Sequence, residues 1–376
     1  MKKILGIIYG GNQLLFASQI RHTLFKNDRF DIIYGKINID ENGAREIFDH
    51  VFKCKRYGAP PKIEALRCFF NPEYAIKTFY ADIELDLYTD IIFFGPEYIH
   101  YFLYKYSCYQ KKHYHWHLIP EGAGVYLIDK YSAGEPPKYG HQPVAKLISL
   151  LDNRWWKYTK MTSLLVEDAF LIQAKYALGS NNFSYVDVPI IDRTDKVFIG
   201  KLNNMFCYKP ENIANKIIIL DGGLSGSRKD GTSNIEMIDA AISRIGNLYG
   251  PQNVLLKRKH GISINEYGED VRHSVTFYED ENMPWELVCL NESIKECVVV
   301  GVMSSAIILP FIMCGFEQPT YVFTDEFQNT EYDEDFYSPA KQFIKEVTSD
   351  MKCFNEIKNE DVLQANISDF GKYCNL

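Results

Sequence analysis

One stretch near the carboxyl terminus, from Val298 to Gly315, most constrains how this chain can fold. It reads VVVGVMSSAIILPFIMCG, an apolar strand pattern that passes through Ser304 and Ser305 directly into an apolar helix pattern. The two hydroxyls would stand beside the unpaired N–H groups of the first helical turn, where a partial positive charge favours anions, phosphate above all. The stretch therefore predicts a strand–turn–helix unit whose turn holds either an anion or a simple serine cap.

The same kind of unit opens the chain. Lys3 to Tyr9 is an unbroken apolar run, Gly10 and Gly11 provide a turn, and the amphipathic pattern from Gln13 to Phe25 predicts a helix. A second series of alternating strands and helices begins at Lys216 with KIIILD and a glycine-rich loop. This alternation predicts parallel sheets with ligand sites at the carboxyl ends of the strands. Because the first turn lacks the G-x-G-x-x-G pattern of dinucleotide-binding proteins, a dehydrogenase is disfavoured.

The length of 376 residues predicts two domains, which we place at residues 1–210 and 211–345, with a helical tail at 346–376 that packs back on the first domain. The least readable region is 130–195. Periodicity predicts helices at 42–52, 62–80, 97–106, 140–152, 160–176 and 234–249. Strands are predicted at 31–36, 90–94, 113–119, 254–260, 273–278 and 320–324.

Charge and cysteine content exclude several classes of protein. The net charge is −8 and no basic block offsets it, which argues against nucleic acid as the main partner. The nine cysteines form no C-x-x-C pair and are odd in number, as expected for free thiols in a reducing compartment. No apolar run reaches the roughly 20 residues that a membrane helix needs. We therefore predict a cytoplasmic protein, at most peripheral to the inner face of the membrane.

Two features of the first domain carry candidate chemistry. The strand HYHWHLI places His113, His115 and His117 on one face, but without an acidic ligand beside them such imidazoles are more often structural, so we predict no metal site. Glu121 lies where this strand gives way to the glycine turn Gly122-Ala123-Gly124. A carboxylate at such a turn can approach a ligand closely, which makes Glu121 a candidate general base; the alternative is a loop acid that caps a helix.

The second domain offers several polar features that parallel topology would bring to one sheet edge. These are the loop after Asp221 with Gly222 and Gly223, the basic strand end with Lys257 and His260, the acid Glu286, and the pair Ser304 and Ser305. In a parallel sheet the loops after successive strands converge on one crevice. The set is suited to a nucleotide monophosphate. Glu286 would hold ribose hydroxyls, the serines would hold the phosphate, and His260 would neutralise or protonate the departing phosphate.

At this point the chain resembles the bacterial sialyltransferases of GT-B fold, of the lipooligosaccharide and capsule type. That family has an acidic-Gly motif in the first domain, and a His-Pro motif and a Ser-Ser or Ser-Thr motif in the second. The matching residues here are Glu121-Gly122, His260-Gly261 and Ser304-Ser305. In addition, Pro284-Trp285-Glu286 resembles the family's ribose-binding segment, and Gln13, with Asn12 beside it, resembles the family's amino-terminal glutamine on the acceptor side.

The resemblance implies an α/β fold of two Rossmann-like domains that face each other across a cleft. It also implies inverting transfer of a sialic acid from CMP-sialic acid to a hydroxyl of a surface glycan such as lipooligosaccharide or capsule. No cofactor and no metal are expected, because a CMP leaving group carries a single phosphate that an imidazolium and a helix terminus can stabilise.

Two positions depart from the family pattern, and several questions stay open. Pro120 stands where many relatives have a second acid, and Gly261 stands where proline is usual. Because some relatives place their base in the loop before the second domain's first helix, Asp230 is the rival of Glu121 as catalytic base. A GT-B transferase with a hexose or Kdo donor and a non-catalytic nucleotide-binding subunit are the alternative functions. The acceptor sugar, the linkage and homodimer formation are not determined by the sequence.

Overall fold

The structure, a computed structural model, divides the chain into two compact units, residues 1–207 and 208–376. It describes residues 1–374 except for positions 57, 81–82, 96, 121, 123–125, 127–142, 153–165, 179–183, 223–233, 259–262, 281, 293–295, 303–304 and 325–333. None of the helices in this described part has both the length and the apolar content needed to cross a bilayer. All nine cysteines are described, and none of them is disulfide-bonded.

The first unit is built on a parallel sheet of seven strands in the order β3-β2-β1-β4-β5-β6-β7. Its strands are β1 (Lys3–Ile8), β2 (Arg29–Tyr34), β3 (Val51–Lys53), β4 (Asp90–Phe93), β5 (His115–Leu118), β6 (Val166–Ile172) and β7 (Ser184–Val188). The central strands are apolar and fully buried, as parallel strands covered on both faces must be. The order reverses between β1 and β4, which defines the topological switch point of this sheet.

Helices of the first unit connect these strands. They are α1 (Gly11–Thr23), α2 (Glu41–Arg45), α3 (Lys62–Phe70), α4 (Pro72–Phe79), α5 (Tyr98–Gln110), α6 (Pro143–Leu151) and α7 (Lys196–Phe206). Asn71 separates α3 from α4: its extended backbone interrupts the helix, and its side chain accepts from the backbone N–H of Tyr74. Residues 62–80, which we predicted as helical, therefore form two short helices.

The second unit repeats this plan with six parallel strands in the order β10-β9-β8-β11-β12-β13. The strands are β8 (Ile217–Leu220), β9 (Val254–Lys257), β10 (Thr276–Phe277), β11 (Val298–Val302), β12 (Thr320–Phe323) and β13 (Phe354–Ile357). The helices are α8 (Asn234–Tyr249), α9 (Glu269–Ser274), α10 (Trp285–Asn291), α11 (Ser305–Cys314), α12 (Glu334–Ser349) and α13 (Glu360–Cys374). The switch point of this sheet lies between β8 and β11.

Two predicted helices of the first unit are wrong in whole or in part. Most of residues 160–176 that the structure describes form β6, which pairs with β5 on one side and β7 on the other. Its FLI segment is apolar enough for either element, and the sheet pairing decides. Of residues 42–52 only 42–45 are helical, in the short α2, and β3 begins at Val51. Gly43 within α2 lies against the backbone of α7, where a Cβ would come within 2.6 Å of Asn204 C.

The carboxyl-terminal segment also differs from its prediction. We predicted residues 346–376 as a helical tail, but the segment holds the strand β13 as well as α13, and it clusters with the second unit. Its predicted packing on the first domain stays a prediction. β13 pairs with β12 as the last strand of the sheet. α13 contributes Leu363, Ile367, Phe370 and Cys374 to the core of this unit, all of them at most 1% exposed. Apolar residues at this helical spacing are buried because they pack on the apolar face of the neighbouring sheet.

Candidate functional site

The carboxyl edge of the second sheet gathers residues from three adjacent strands. Asp221 and Gly222 follow β8, Lys257 is the last residue of β9, and Ser305 opens the helix that follows β11. The backbone N–H of Asp221 donates to the carbonyl of Lys257 at 3.1 Å, which ties the first two strand ends together. Because β8 and β11 flank the switch point, Gly222 and Ser305 lie on its two sides, where open α/β sheets bind ligands.

Ser305 is positioned by close packing between β11 and α11. α11 is apolar on every side and buried, so its direction is set by contacts with the sheet. Gly301 makes this approach possible, because a Cβ there would lie 2.5 Å from Ile307 Cδ1. Ser305 itself is half-buried at the first helical position, where backbone N–H groups have no intrahelical partner.

Glu286 is the most unusual residue of this edge. It lies in the first turn of α10, a helix that packs against α11, and is only 1% exposed. Neither carboxylate oxygen has a hydrogen-bond partner in another described residue. Burial raises the pKa of Glu286 to about 7, although its own backbone N–H and the charge of Lys257 act in the opposite direction. A buried, unsatisfied carboxyl group is costly, and it can be satisfied by hydroxyl or amine donors from a ligand.

Two tyrosines that no sequence pattern singled out contact charged groups at this edge. The ammonium of Lys257 lies 5.2 Å from the ring centroid of Tyr278, and Lys257 is buried. The hydroxyl of Tyr267 donates to Asp221 Oδ2. Burial raises the pKa of both tyrosines, and the neighbouring carboxylates raise it further. Both phenols are therefore neutral donors at physiological pH.

Several predicted site residues lie outside the described residues. They are Glu121, Gly223, Asp230, His260 and Ser304. The turn after Glu121 is described at Gly122, whose φ of 62° lies in the left-handed region that favours glycine. The roles of these residues stay predictions.

Gln13 and Asn12 lie in the first turn of α1, at the carboxyl end of β1. The side-chain carbonyl of Gln13 accepts from the backbone N–H groups of Tyr9 at 2.8 Å and Gly10 at 3.0 Å, and Gln13 is 2% exposed. Gln13 thus holds the strand-to-helix turn at the switch point of the first sheet. Asn12 is half-buried beside it.

The three histidines predicted to share a strand face have different surroundings. His117 is 5% exposed on its side chain and lies between two acids, with Nε2 2.9 Å from Asp90 and Nδ1 2.5 Å from Asp168. Burial acts to lower its pKa, but the two carboxylates outweigh burial and raise it. His113 and His115 are exposed and instead meet Glu167, an acid that the sequence did not associate with them.

Comparison with known proteins shows similarity in structure only. No family model and no curated protein matches the sequence. A sialyltransferase from Photobacterium damsela is 12% identical with a TM-score of 0.50, covering 95% of this chain and 82% of its own. A 2,6-sialyltransferase from Photobacterium sp. JT-ISH-224, solved with the donor product CMP and the acceptor lactose, is 10% identical with a TM-score of 0.51, covering 94% and 78%.

A UDP-N-acetylglucosamine 2-epimerase gives a TM-score of 0.48 at 12% identity, covering 100% of this chain and 91% of its own. The two sialyltransferases, together with the two doubly wound parallel sheets, show that the chain has the GT-B fold. The predicted fold class is confirmed at this level.

Proposed function

We propose that this protein is an inverting glycosyltransferase that moves a sialic acid from CMP-sialic acid to a hydroxyl of a surface glycan. The fold and the motif resemblance support a nucleotide-sugar transferase. Since fold alone does not specify activity, the proposal depends on the chemistry of the carboxyl edge of the second sheet.

The observation that carries the proposal is the buried carboxyl group of Glu286. It is isolated from water and from hydrogen-bond partners in other described residues, while Lys257 contributes a nearby positive charge. A ribose presents two adjacent hydroxyl donors, which match the two unsatisfied oxygens of one carboxylate. Hydrogen bonds from the ribose hydroxyls would satisfy this buried carboxyl group. Removing the cost of the unsatisfied oxygens would add to the affinity for the nucleoside.

The phosphate would lie at the start of α11. Ser305, with Ser304 before it, can donate from its hydroxyl group, and the first N–H groups of the helix favour an anion. In the reaction the bond between the anomeric carbon and the phosphate oxygen breaks, and CMP leaves with that electron pair. His260 is assigned to stabilise or protonate this phosphate as it departs, with Gly222 and Gly223 allowing close backbone approach.

The acceptor hydroxyl attacks the face opposite the departing CMP, and a carboxylate removes its proton. Glu121 and Asp230 are the two candidates for this base. The donor's anomeric carbon is tertiary, so positive charge develops there before the new bond is complete. Leaving-group stabilisation then matters more than nucleophile strength. Gln13 and Asn12 are assigned to the acceptor side.

A panel of CMP, UDP and GDP, each with its sugar conjugates, tests the nucleotide assignment in a thermal-shift assay. We expect CMP and CMP-sialic acid to raise the melting temperature and UDP and GDP to have little effect. Preferential binding of a UDP-sugar would instead favour a hexose transferase. Binding of CMP without any transfer to lactose or to bacterial oligosaccharides would favour a non-catalytic subunit.

Variants then test the assigned roles. We expect the double variant Ser304→Ala, Ser305→Ala to weaken CMP binding, and His260→Ala to lower turnover by orders of magnitude. Either Glu121→Gln or Asp230→Asn should abolish transfer while CMP affinity is retained. Normal kinetics in the serine and histidine variants would refute the proposed phosphate site, and normal kinetics in both acid variants would place the base elsewhere.

A further inference from the structure

A cluster of two imidazoles and one carboxylate lies at the amino edge of the first sheet. His115 is the first residue of β5, His113 precedes it by two positions, and Glu167 is the second residue of β6. The residues assigned to transfer in this domain follow the carboxyl ends of strands instead. The cluster is therefore separate from the proposed transfer chemistry, and it does not depend on it.

The three side chains already converge on one point. Glu167 Oε1 lies 3.0 Å from His113 Nε2, and Glu167 Oε2 lies 2.6 Å from His115 Nδ1. The ligand atoms of all three residues lie within 4.8 Å of one another. Two ligands bonded to one Zn²⁺ at about 2.1 Å in tetrahedral geometry are separated by about 3.4 Å, so only small side-chain adjustments are needed to admit an ion.

An irregularity in the sheet brings Glu167 into this position. Trp116 pairs with Val166 but His117 pairs with Asp168, so Glu167 is an extra residue in β6. Regular alternation would send the side chains of Glu167 and Asp168 to opposite faces. Instead, the two acids meet His115 and His117, which are two residues apart and share a face. Bulges commonly redirect a side chain in this way at functional positions.

We propose that His113, His115 and Glu167 bind a divalent transition-metal ion, with Zn²⁺ the best match. Two imidazoles and a carboxylate form a common protein ligand set for zinc and leave coordination positions open for water. Imidazole ligands suit zinc, copper and nickel, whereas Mg²⁺ and Ca²⁺ prefer oxygen ligands alone. The side chains are 78%, 51% and 39% exposed, so an ion can reach them without unfolding.

His117 is not part of this ligand set, because its ring nitrogens are held by two other acids, buried Asp90 and half-buried Asp168. The proposed ion would link the segment before β5 to β6 at the amino edge of the sheet. Binding requires neutral imidazoles and therefore releases any protons that the two histidines carry.

Titration calorimetry with ZnCl₂ on the full, chelator-treated chain tests the site. We expect one Zn²⁺ per chain to bind, and its affinity to fall by more than about a hundredfold in His115→Ala and in Glu167→Gln, because the loss of a second-shell partner alone costs about 10–100-fold. His22→Ala is the matched control, because His22 is also exposed and lies 3.1 Å from an acid, Asp195, but no second imidazole of the described residues completes a ligand cluster there. Its Zn²⁺ affinity should equal that of the unmodified chain.

Exposed thiols are the competing binders, so Co²⁺ absorption serves as a second readout. Nitrogen and oxygen ligation gives no thiolate charge-transfer band, whereas binding through Cys108, Cys207 or Cys353 would. Zn²⁺ should also raise the melting temperature of the unmodified chain but not that of Glu167→Gln. Equal Zn²⁺ affinity in His115→Ala, Glu167→Gln and the unmodified chain, or a Co²⁺ spectrum dominated by thiolate bands, would overturn the proposal.

Discussion

Replacing Glu286 by glutamine should make the protein more stable and at the same time impair its nucleotide site. The side chain is fully buried and its pKa is raised from 4.5 to about 7. Because one pKa unit corresponds to about 1.4 kcal/mol, ionising this group in the folded state costs about 3 kcal/mol relative to the unfolded chain. Glutamine has nearly the same shape and carries no charge, so it removes this cost.

The expected stability difference between the Glu286→Gln variant and the unmodified chain depends on pH. Between pH 4.5 and about 7 the folded protein holds the Glu286 proton while the unfolded chain has released it, so stability falls as pH rises through this window. At pH 5 the Glu286→Gln variant and the unmodified chain should therefore differ little in free energy of unfolding. At pH 8 the variant should be the more stable of the two by up to about 3 kcal/mol.

Urea unfolding at pH 5 and pH 8 measures this difference, and a CMP titration measures the affinity of both proteins. Glu292→Gln is the control, because Glu292 follows the same helix but accepts from the hydroxyl of Tyr208 and the backbone N–H of Glu211. That variant should lose stability, by about 1 kcal/mol, since it weakens a charged acceptor that is already in use. A Glu286→Gln variant that is less stable at pH 8 would show that the carboxylate is satisfied within the protein, and would remove the main support for ribose binding.

Three further predictions concern the fold and the chemistry. Asp90→Asn should cost about 3 kcal/mol at pH 7, since it removes the charged partner of Lys2 and one of the two carboxylates beside buried His117. Burial acts to raise the pKa of Asp90 but its hydrogen bonds lower it, so the stabilisation is present above pH 3.8 and is lost on acidification, which urea unfolding at pH 7 and pH 3 would detect. Gly43→Ala should cost about 1–3 kcal/mol by clashing with the backbone of α7, whereas Gly200→Ala within α7, with open space around its Cβ position, should be neutral or stabilising by thermal melting. Chelation with EDTA should leave the rate of sialic acid transfer unchanged, because the proposed metal site is not part of the transfer chemistry. A loss of activity that Zn²⁺ restores would contradict both the metal-independent transfer and the separation of the metal site from it.

Local patterns predicted the strands whose residues are apolar without interruption. β1, β8 and β11 are such runs, and the structure places all three at the centre of their sheets. The glycine and serine turns that follow them were predicted for the same reason, because a buried strand must end where the backbone can turn. The strand-to-helix pattern thus contained enough information for the fold class.

The peripheral strands were harder to predict because they are short or amphipathic. β7 reads SYVDV and β13 reads FNEI, patterns that are half polar and compatible with loops or helices. Each forms a strand because it pairs with a neighbouring strand from outside its own stretch of sequence. Local periodicity carries no information about such a contact. β13, in a segment predicted to be a helical tail, was missed for the same reason.

At the candidate site, the sequence predicted which residues lie at the sheet edge but not their burial or their hydrogen-bond partners. Topology alone placed Glu286, Lys257 and Ser305 near one sheet edge. Glu286 has no hydrogen-bond partner among the other described residues, and Lys257 lies beside the ring of Tyr278. Both features are set by tertiary packing, which a local sequence pattern does not contain. Likewise, the sequence identified three histidines on one face of β5, but the acid that completes the exposed pair comes from a bulge in another strand.

The amino edge of the first sheet and the carboxyl edge of the second sheet differ in how their buried carboxylates are satisfied. At the amino edge, Asp31 accepts from Arg29, Tyr88 and His50, and Asp90 is likewise surrounded by donors. Such satisfied carboxylates hold strand ends together and do not need hydrogen bonds from a ligand. In the second sheet, the carboxyl edge keeps Glu286 buried and unsatisfied by other described side chains, which is unfavourable for folding alone. A buried carboxyl group that is unfavourable for folding is expected where a ligand satisfies it, so we expect the nucleotide site at Glu286 rather than at Asp31 or Asp90.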